Sequence, residues 1–341
     1  MSRALLGLLA VLPLLAGCGM TGRVLGGPDD DPPAVPIEVV APTPDGLTIL
    51  ARSPQEPLLI ESVALDGRGR LLISSIHQAG VFRLDLDGTL TRFTPEGTTQ
   101  GVFGMVSDRA NGVLWITSAN TIYDQIEGQG GSALMKLDLQ TGDVLAAYAL
   151  PEPDHQLSDL ALSPDGTVFV SDSTGGGIYM LSPGSGRLEH LVDAPERASP
   201  QGLVVSDDGR WLIFSNYATG LQRVVVSTGA MQPVRMPGGQ SFTGLDGLAR
   251  DGGRIIAIHN GSPPGRVISL SLSPDWTTVT NAQMLYDGTP LSEPTTGFVS
   301  GDGFVFIARS QWSDFGQDGV ATSTTLAPAT VGRIDLARSR P

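Results

Sequence analysis

From residue 45 onward, short runs of Val, Ile, Leu and Phe alternate with turns built on Gly, Asp and Pro. Nowhere is a 3.6-residue apolar period sustained long enough to make a helix, so the chain reads as all-β. The runs come in pairs that repeat. Glu61–Asp66 is followed by Arg70–Ser75, Phe103–Val106 by Val113–Ser118, and Ser158–Asp165 by Thr167–Asp172. Then come Gln201–Val205 with Trp211–Asn216, Asp246–Ala249 with Arg254–His259, and Thr296–Val299 with Phe304–Arg309. Weaker third strands follow each pair, at 80–85, 133–138, 177–181, 221–225, 265–270 and 331–335. The unit recurs roughly every 40–55 residues, the length of a four-stranded propeller blade. Six copies predict a six-bladed β-propeller over residues 45–337, with a short tail at 338–341. The sixth blade runs out of chain after its third strand, while Gly46–Arg52 is a strand with no blade of its own. That N-terminal strand is expected to complete the last blade as its outer strand, closing the ring and leaving no unpaired edge.

The first 44 residues follow a different pattern. Met1-Ser2-Arg3 precedes an apolar run from Ala4 to Leu15, and Leu15-Ala16-Gly17-Cys18 follows. A basic start, a short apolar stretch and small residues are the parts of a secretory signal, and the run is too short to span a membrane. Leu-Ala-Gly-Cys resembles the lipobox of bacterial lipoproteins. The resemblance implies cleavage after residue 17, lipidation of Cys18 and, with Gly19 next, an anchor in the outer membrane facing the periplasm. Residues 18–44, rich in Gly, Pro and Asp, read as a flexible tether. Cys18 is the only cysteine, so the folded part has neither a disulfide nor a cysteine nucleophile.

Composition narrows the function classes. With 40% hydrophobic and 16% charged residues the chain can build a core, and Gly 44 and Pro 25 supply its turns. A net charge of −14 excludes a nucleic-acid binder, which needs a basic face, and suits a metal cation or a neutral substrate. The expected partners are a small molecule in the central channel and the membrane at the lipid anchor, with the folded part a monomer.

In a propeller the residue that begins each inner strand and the loop that leaves the second strand share one face. The first ring is then Glu61, Phe103, Ser158, Gln201, Asp246 and Thr296. The second is His77, Asn120, Asp172, Asn216 with Tyr217, His259 with Asn260, and Gln311 with Trp312. Both are dense in oxygen and nitrogen side chains. His77 and His259 are the groups that titrate nearest neutral pH, and so are candidate bases.

Glu61–Asp66 with Arg70–Ser75, Asp246-Gly-Leu-Ala249, and Pro200-Gln-Gly-Leu203 with Asp208-Gly209 resemble motifs of the regucalcin/gluconolactonase (senescence marker protein) family. The resemblance spans roughly residues 55–336 and implies six blades around one divalent cation, usually calcium. By it, Glu61, Gln201 and Asp246 are the metal ligands and Ser158 lies near the substrate. Gln201 and Ser158 stand where the family has Asn; both keep an oxygen, and calcium accepts such a change better than magnesium. The resemblance also implies that Asp246 helps activate water; His259, from the titration range of histidine rather than from the resemblance, is the second catalytic candidate, as base if no metal is present. Ser158, Asn216, His77, Asn120, Asp172 and Gln311 are the candidate substrate contacts. The expected function is a divalent-cation-dependent hydrolase of a lactone or small ester. The alternative is a non-catalytic propeller that binds a small molecule, glycan or protein through the same face. The Gly-, Ser- and Thr-rich insertion at 313–329 is either a lid or a variable loop.

Overall fold

The computed structural model describes residues 46–124, 131–150, 154–239, 242–288 and 290–337. The signal and tether (1–44), the lipidation site Cys18 and the tail at 338–341 lie outside them. Among the described residues no helix is long and apolar enough to cross a membrane.

Among the described residues, twenty-four strands form six four-stranded antiparallel sheets. The chain begins with β1 (Leu47–Arg52). Blade 1 is β2 (Val63–Leu65), β3 (Leu71–Ser75), β4 (Gly80–Leu84) and β5 (Leu90–Arg92). Blade 2 is β6 (Gly101–Asp108), β7 (Val113–Ala119), β8 (Ser132–Asp138) and β9 (Val144–Leu150). Blade 3 comprises β10 (Leu157–Leu162), β11 (Val168–Asp172), β12 (Gly177–Leu181) and β13 (Glu189–Asp193). Blade 4 comprises β14 (Pro200–Val205), β15 (Trp211–Asn216), β16 (Gly220–Val225) and β17 (Ala230–Pro233). Blade 5 holds β18 (Leu245–Asp251), β19 (Arg254–His259), β20 (Arg266–Leu272) and β21 (Val279–Tyr286). Blade 6 holds β22 (Gly297–Ser300), β23 (Gly303–Arg309) and β24 (Thr330–Asp335), with β1 as its outer strand. The ring closes as the repeat predicts: Leu47 pairs with Ile334 and Arg52 with Thr330, and Ser53 and Ala329 exchange two further hydrogen bonds.

The core is distributed among the seams between blades, one buried apolar cluster to each of the six. Phe169 and Phe214 fill the seam between blades 3 and 4. Phe304 stacks on Phe306 at 5.2 Å between blades 5 and 6. A seventh cluster holds the insertion: Phe315 and Leu326 pack on Leu59, Ile76, Phe103 and Ala119, and Arg309 pairs with Asp314 at 2.6 Å. Residues 313–329 are therefore a packed element on blades 1 and 2.

Four inner strands share one irregularity. The register slips between Val102 and Met105, Leu157 and Leu160, Pro200 and Leu203, and Leu245 and Leu248. Such bulges lift residues out of the ladder and re-aim their side chains. The residues freed are Phe103, Ser158 with Asp159, Gln201 and Asp246, each at the start of an inner strand. The following glycine is needed because the inner strands nearly touch there. A Cβ at Gly247 would lie 2.6 Å from the Thr295 carbonyl, and one at Gly202 would strike Asp246 and Leu248 backbone. The comparison also corrects the phase of blade 6. Gly247 faces Thr295 O as Gly202 faces Asp246 O, so Thr295, not Thr296, is the counterpart of Asp246.

Candidate functional site

Where the inner strands begin, a cavity of about 280 Å³ opens on the propeller axis. Its lining is Glu61, Gln201, Asp246, Tyr217, Asn260, Glu293 and Trp312. The three residues expected to ligate a cation are thus brought together, from blades 1, 4 and 5. Their backbones are fixed across the seams. Thr295 and Thr296 hydroxyls donate to Glu61 O, and Ser215 Oγ donates to Asp246 O at 2.7 Å.

Each carboxylate is oriented by a donor from the second ring. Trp312 Nε1 donates to Glu61 Oε2 at 2.7 Å. Asn260 Nδ2 donates to Asp246 Oδ2 at 2.5 Å and to Pro294 O, while its Oδ1 accepts from the Tyr217 hydroxyl at 2.9 Å. Gln201 Nε2 is committed to Ser199 Oγ at 2.6 Å.

Asp159 stands just below, at the cup end of a second cavity along the axis. It acts electrostatically on both Glu61 and Asp246. Withdrawal from water pushes all three carboxyls up, since the charged form is the one burial penalises. Glu61 lies well above the ordinary range through burial and then the charge of Asp246, with the Trp312 bond opposing. Asp246 is raised by burial and then by Asp159, with Asn260 opposing. Asp159 is pushed up to about 7 by burial. Among the described residues no Lys, Arg or His lines the cup to relieve this repulsion.

The other expected contacts are not in the cup lining. Asp172 is fully buried and ties a turn, accepting from Gln156 N, Gly175 N and His155 Nδ1. Asn216 is also buried; its Oδ1 accepts from Ala218 N and Thr219 N. Gln311 sits at a φ of 82°, held by bonds from Leu58 N and Leu59 N and to Glu56 O and Ala327 O. Ser158 Oγ pairs with Ser173 Oγ at 2.7 Å. His77 contacts Tyr123 O through Nδ1 at 2.7 Å and packs edge-on to Phe315. Asn120 N donates to Gly131 O. His259 is buried, and burial followed by the Arg266 charge pushes its pKa down.

One rule explains most of these placements. In blades 4, 5 and 6 the cup residue is the second of each pair: Tyr217 after Asn216, Asn260 after His259, Trp312 after Gln311. At the end of a strand, one residue of slip turns a side chain to the opposite face. Asp159 and Glu293 are the two acidic groups that the ring positions miss. Asp159 had a visible signal, for blades 2, 4 and 5 carry Gly after the first-ring residue and blade 3 carries Asp. Glu293 lies in the loop before β22 and had none.

The oxygen-only donor set suits a hard cation in kind. Among the described residues, however, no three or more His, Cys, Asp or Glu side chains cluster closely enough to hold a metal ion. A cation at the cup would therefore need the Gln201 amide beside Glu61 and Asp246.

No protein-family model and no curated protein matches the chain. Solved structures do. The PQQ-bound aldose sugar dehydrogenase of Streptomyces coelicolor is 16% identical with a TM-score of 0.56, over 86% of this chain and 99% of that one. A gluconolactonase of Xanthomonas campestris is 15% identical with a TM-score of 0.55, over 85% and 89%. A virginiamycin B lyase of Staphylococcus aureus is 14% identical with a TM-score of 0.54, over 81% and 80%. At these identities the likeness establishes the propeller fold, which hosts unrelated chemistries.

Proposed function

We propose that the axial cup is the active site of a hydrolase for a lactone or small ester. The observation that carries this reading is the meeting of Glu61, Gln201 and Asp246 in one cup, near enough to Asp159 for its charge to bear on both carboxylates, with no cationic side chain among the described lining residues. A gluconolactonase among the proteins that share the fold is consistent with it. Glu61, Asp246 and the Gln201 amide would hold one divalent cation, calcium by donor type. Such an ion, when bound, would polarise a carbonyl and lower the pKa of water.

The chain's own residues supply the rest. Asp246, oriented by Asn260, takes a proton from water as the water oxygen bonds to the carbonyl carbon. The ring carbon–oxygen bond breaks, and the leaving oxygen recovers that proton. A carboxyl whose pKa sits nearer neutrality does both steps better than an ordinary one. Tyr217 and Trp312 wall the cup and limit it to a small ring. Cys18 would anchor the enzyme by lipid to the outer membrane, on the strength of the Leu-Ala-Gly-Cys sequence.

The test is a calcium titration of the melting temperature together with hydrolysis of a panel of lactones. Calcium at a hundred times its Kd should add about 2.7 kcal/mol of stability. Asp246→Ala should abolish that gain and the hydrolysis while the protein stays folded. No shift with calcium, magnesium, manganese or zinc would remove the cation. A non-catalytic binding propeller is favoured by one observation, the Gln201 and Ser158 replacements. Retained calcium binding without hydrolysis of any lactone would decide for it.

A further inference from the structure

The cup holds one carboxylate that neither the cation nor the proton transfer uses. Glu293 lines the cavity together with Glu61, Asp246, Tyr217 and Trp312. Its backbone sits at a φ of 53°, a left-handed conformation uncommon for a residue with a side chain. Three hydrogen bonds fix this loop against the start of the insertion. Ser292 N donates to Ala308 O, Arg309 Nη1 to Ser292 Oγ at 3.2 Å, and Ser313 N to Glu293 Oε2 at 2.7 Å. Arg309 gives its charge to Asp314, and Glu293 has no ion pair among the described residues. The Glu293 charge is felt at Glu61 across the cup. Yet Glu293 does not complete a metal cluster with Glu61 and Asp246, since among the described residues no three acidic, His or Cys side chains lie close enough to hold an ion. Asp246 is 6% exposed, and its Oδ1 accepts no hydrogen bond among the described residues. The cup thus calls for positive charge at two places, one beside Asp246 and one at Glu293.

Resting on the hydrolase reading of the cup, we propose that its substrate is a small ester or lactone carrying a methylated ammonium group, with that group at Glu293 against Tyr217 and Trp312. A divalent cation on Glu61, Gln201 and Asp246 would compensate those two carboxylates and leave the Glu293 charge standing. That excess repels a substrate with a carboxylate or a phosphate and attracts a monocation. The kind of monocation follows from the partners that remain. A primary ammonium brings three N–H donors, and Glu293 has one oxygen free of hydrogen bonds, because Oε2 already accepts from Ser313 N. The Trp312 indole is a donor engaged with Glu61, and the Tyr217 hydroxyl is engaged with Asn260. A methylated ammonium needs no acceptor; a negative charge and aromatic rings hold it, Trp above all. Tyr217 is 37% exposed, so its ring has surface to offer such a group. A cavity of about 280 Å³ lies at the small end of ligand sites and suits an occupant the size of a choline ester.

The experiment is calorimetric titration of the purified protein, with calcium present, by choline and by neohexyl alcohol, its uncharged isostere in which carbon replaces the nitrogen. Choline should bind about tenfold more tightly. Glu293→Gln keeps an acceptor for Ser313 N and should remove that preference without moving the melting temperature. Tyr217→Leu should weaken choline, whereas Tyr217→Phe, which keeps the ring, should not. Hydrolysis is then compared for acetylcholine and neohexyl acetate, and kcat/KM should favour the charged ester by a similar factor. Choline selectivity that depends on Glu293, without hydrolysis of either ester, would remove the hydrolase reading and keep the ammonium site. Equal binding of the two alcohols, a Glu293→Gln variant as selective as wild type, or equal kcat/KM for the two esters would each overturn the proposal.

Discussion

Replacing Asp159 by Asn should remove a pH dependence that the wild-type protein carries in its hub. Asp159 lines the axial channel and binds its proton with a pKa near 7, against an ordinary carboxylate value near 4. The folded state therefore holds this proton more tightly than the unfolded chain does. The group's contribution to stability is intact below about pH 4 and is lost progressively as the pH rises to about 7. Three units at 1.36 kcal/mol each would be about 4 kcal/mol. Asp159 is half-buried in a channel open to water, so a loss of about 2 kcal/mol is the better expectation. Asn keeps the size and cannot ionise. The difference between Asp159→Asn and wild type should be near zero at pH 4, climb to about 2 kcal/mol in favour of the variant by pH 7.5, and then stay level. At the heat-unfolding midpoint that is about 4 °C. The assay is urea unfolding from pH 4 to 8 with chelator present, followed by tryptophan fluorescence; Trp115 and Trp276 are buried in seams and report loss of the core. A difference that does not change with pH, or a variant less stable than wild type at pH 8, would refute the reasoning.

Two other outcomes follow from the frame of the molecule. Gly247→Ala forces a methyl to within 2.6 Å of the Thr295 carbonyl, where backbone must move, and should cost about 1–3 kcal/mol, seen as a lower urea midpoint. Deleting residues 1–52 removes β1 and uncovers the edge of β24, and should give a protein that elutes as oligomers or aggregates, where removal of residues 1–44 alone should leave a monomer.

The ring was legible in the sequence because its information is redundant. Six copies of the same strand pair fix the fold even though blade 6 is out of phase by one residue. The closing strand was legible by subtraction, as a strand left over beside a blade one strand short. The cup was legible only where the bulge and its glycine mark it, at Gln201 and Asp246, and where Glu61 leads into the first inner strand two residues on. The second ring was harder because strand ends do not announce which face a side chain takes. Asn216, Asp172 and Gln311 are polar residues in the expected loops, yet each spends side-chain oxygens on backbone amides: Asn216 on its own turn, Asp172 on Gly175 and Gln156, Gln311 on Leu58 and Leu59. Glu293 reaches the cup from a loop with no repeat to index it.

The closing strand has a kinetic consequence. Of the described strands, β1 is synthesised first and its partner β24 last. While the chain is being made, Leu47–Arg52 must wait with its apolar residues unmatched, and no rearrangement among the first five blades can satisfy it. The slowest contact to form is thus the one on which completion of the circle depends, a long-range pairing of the kind that delays folding and invites misassembly.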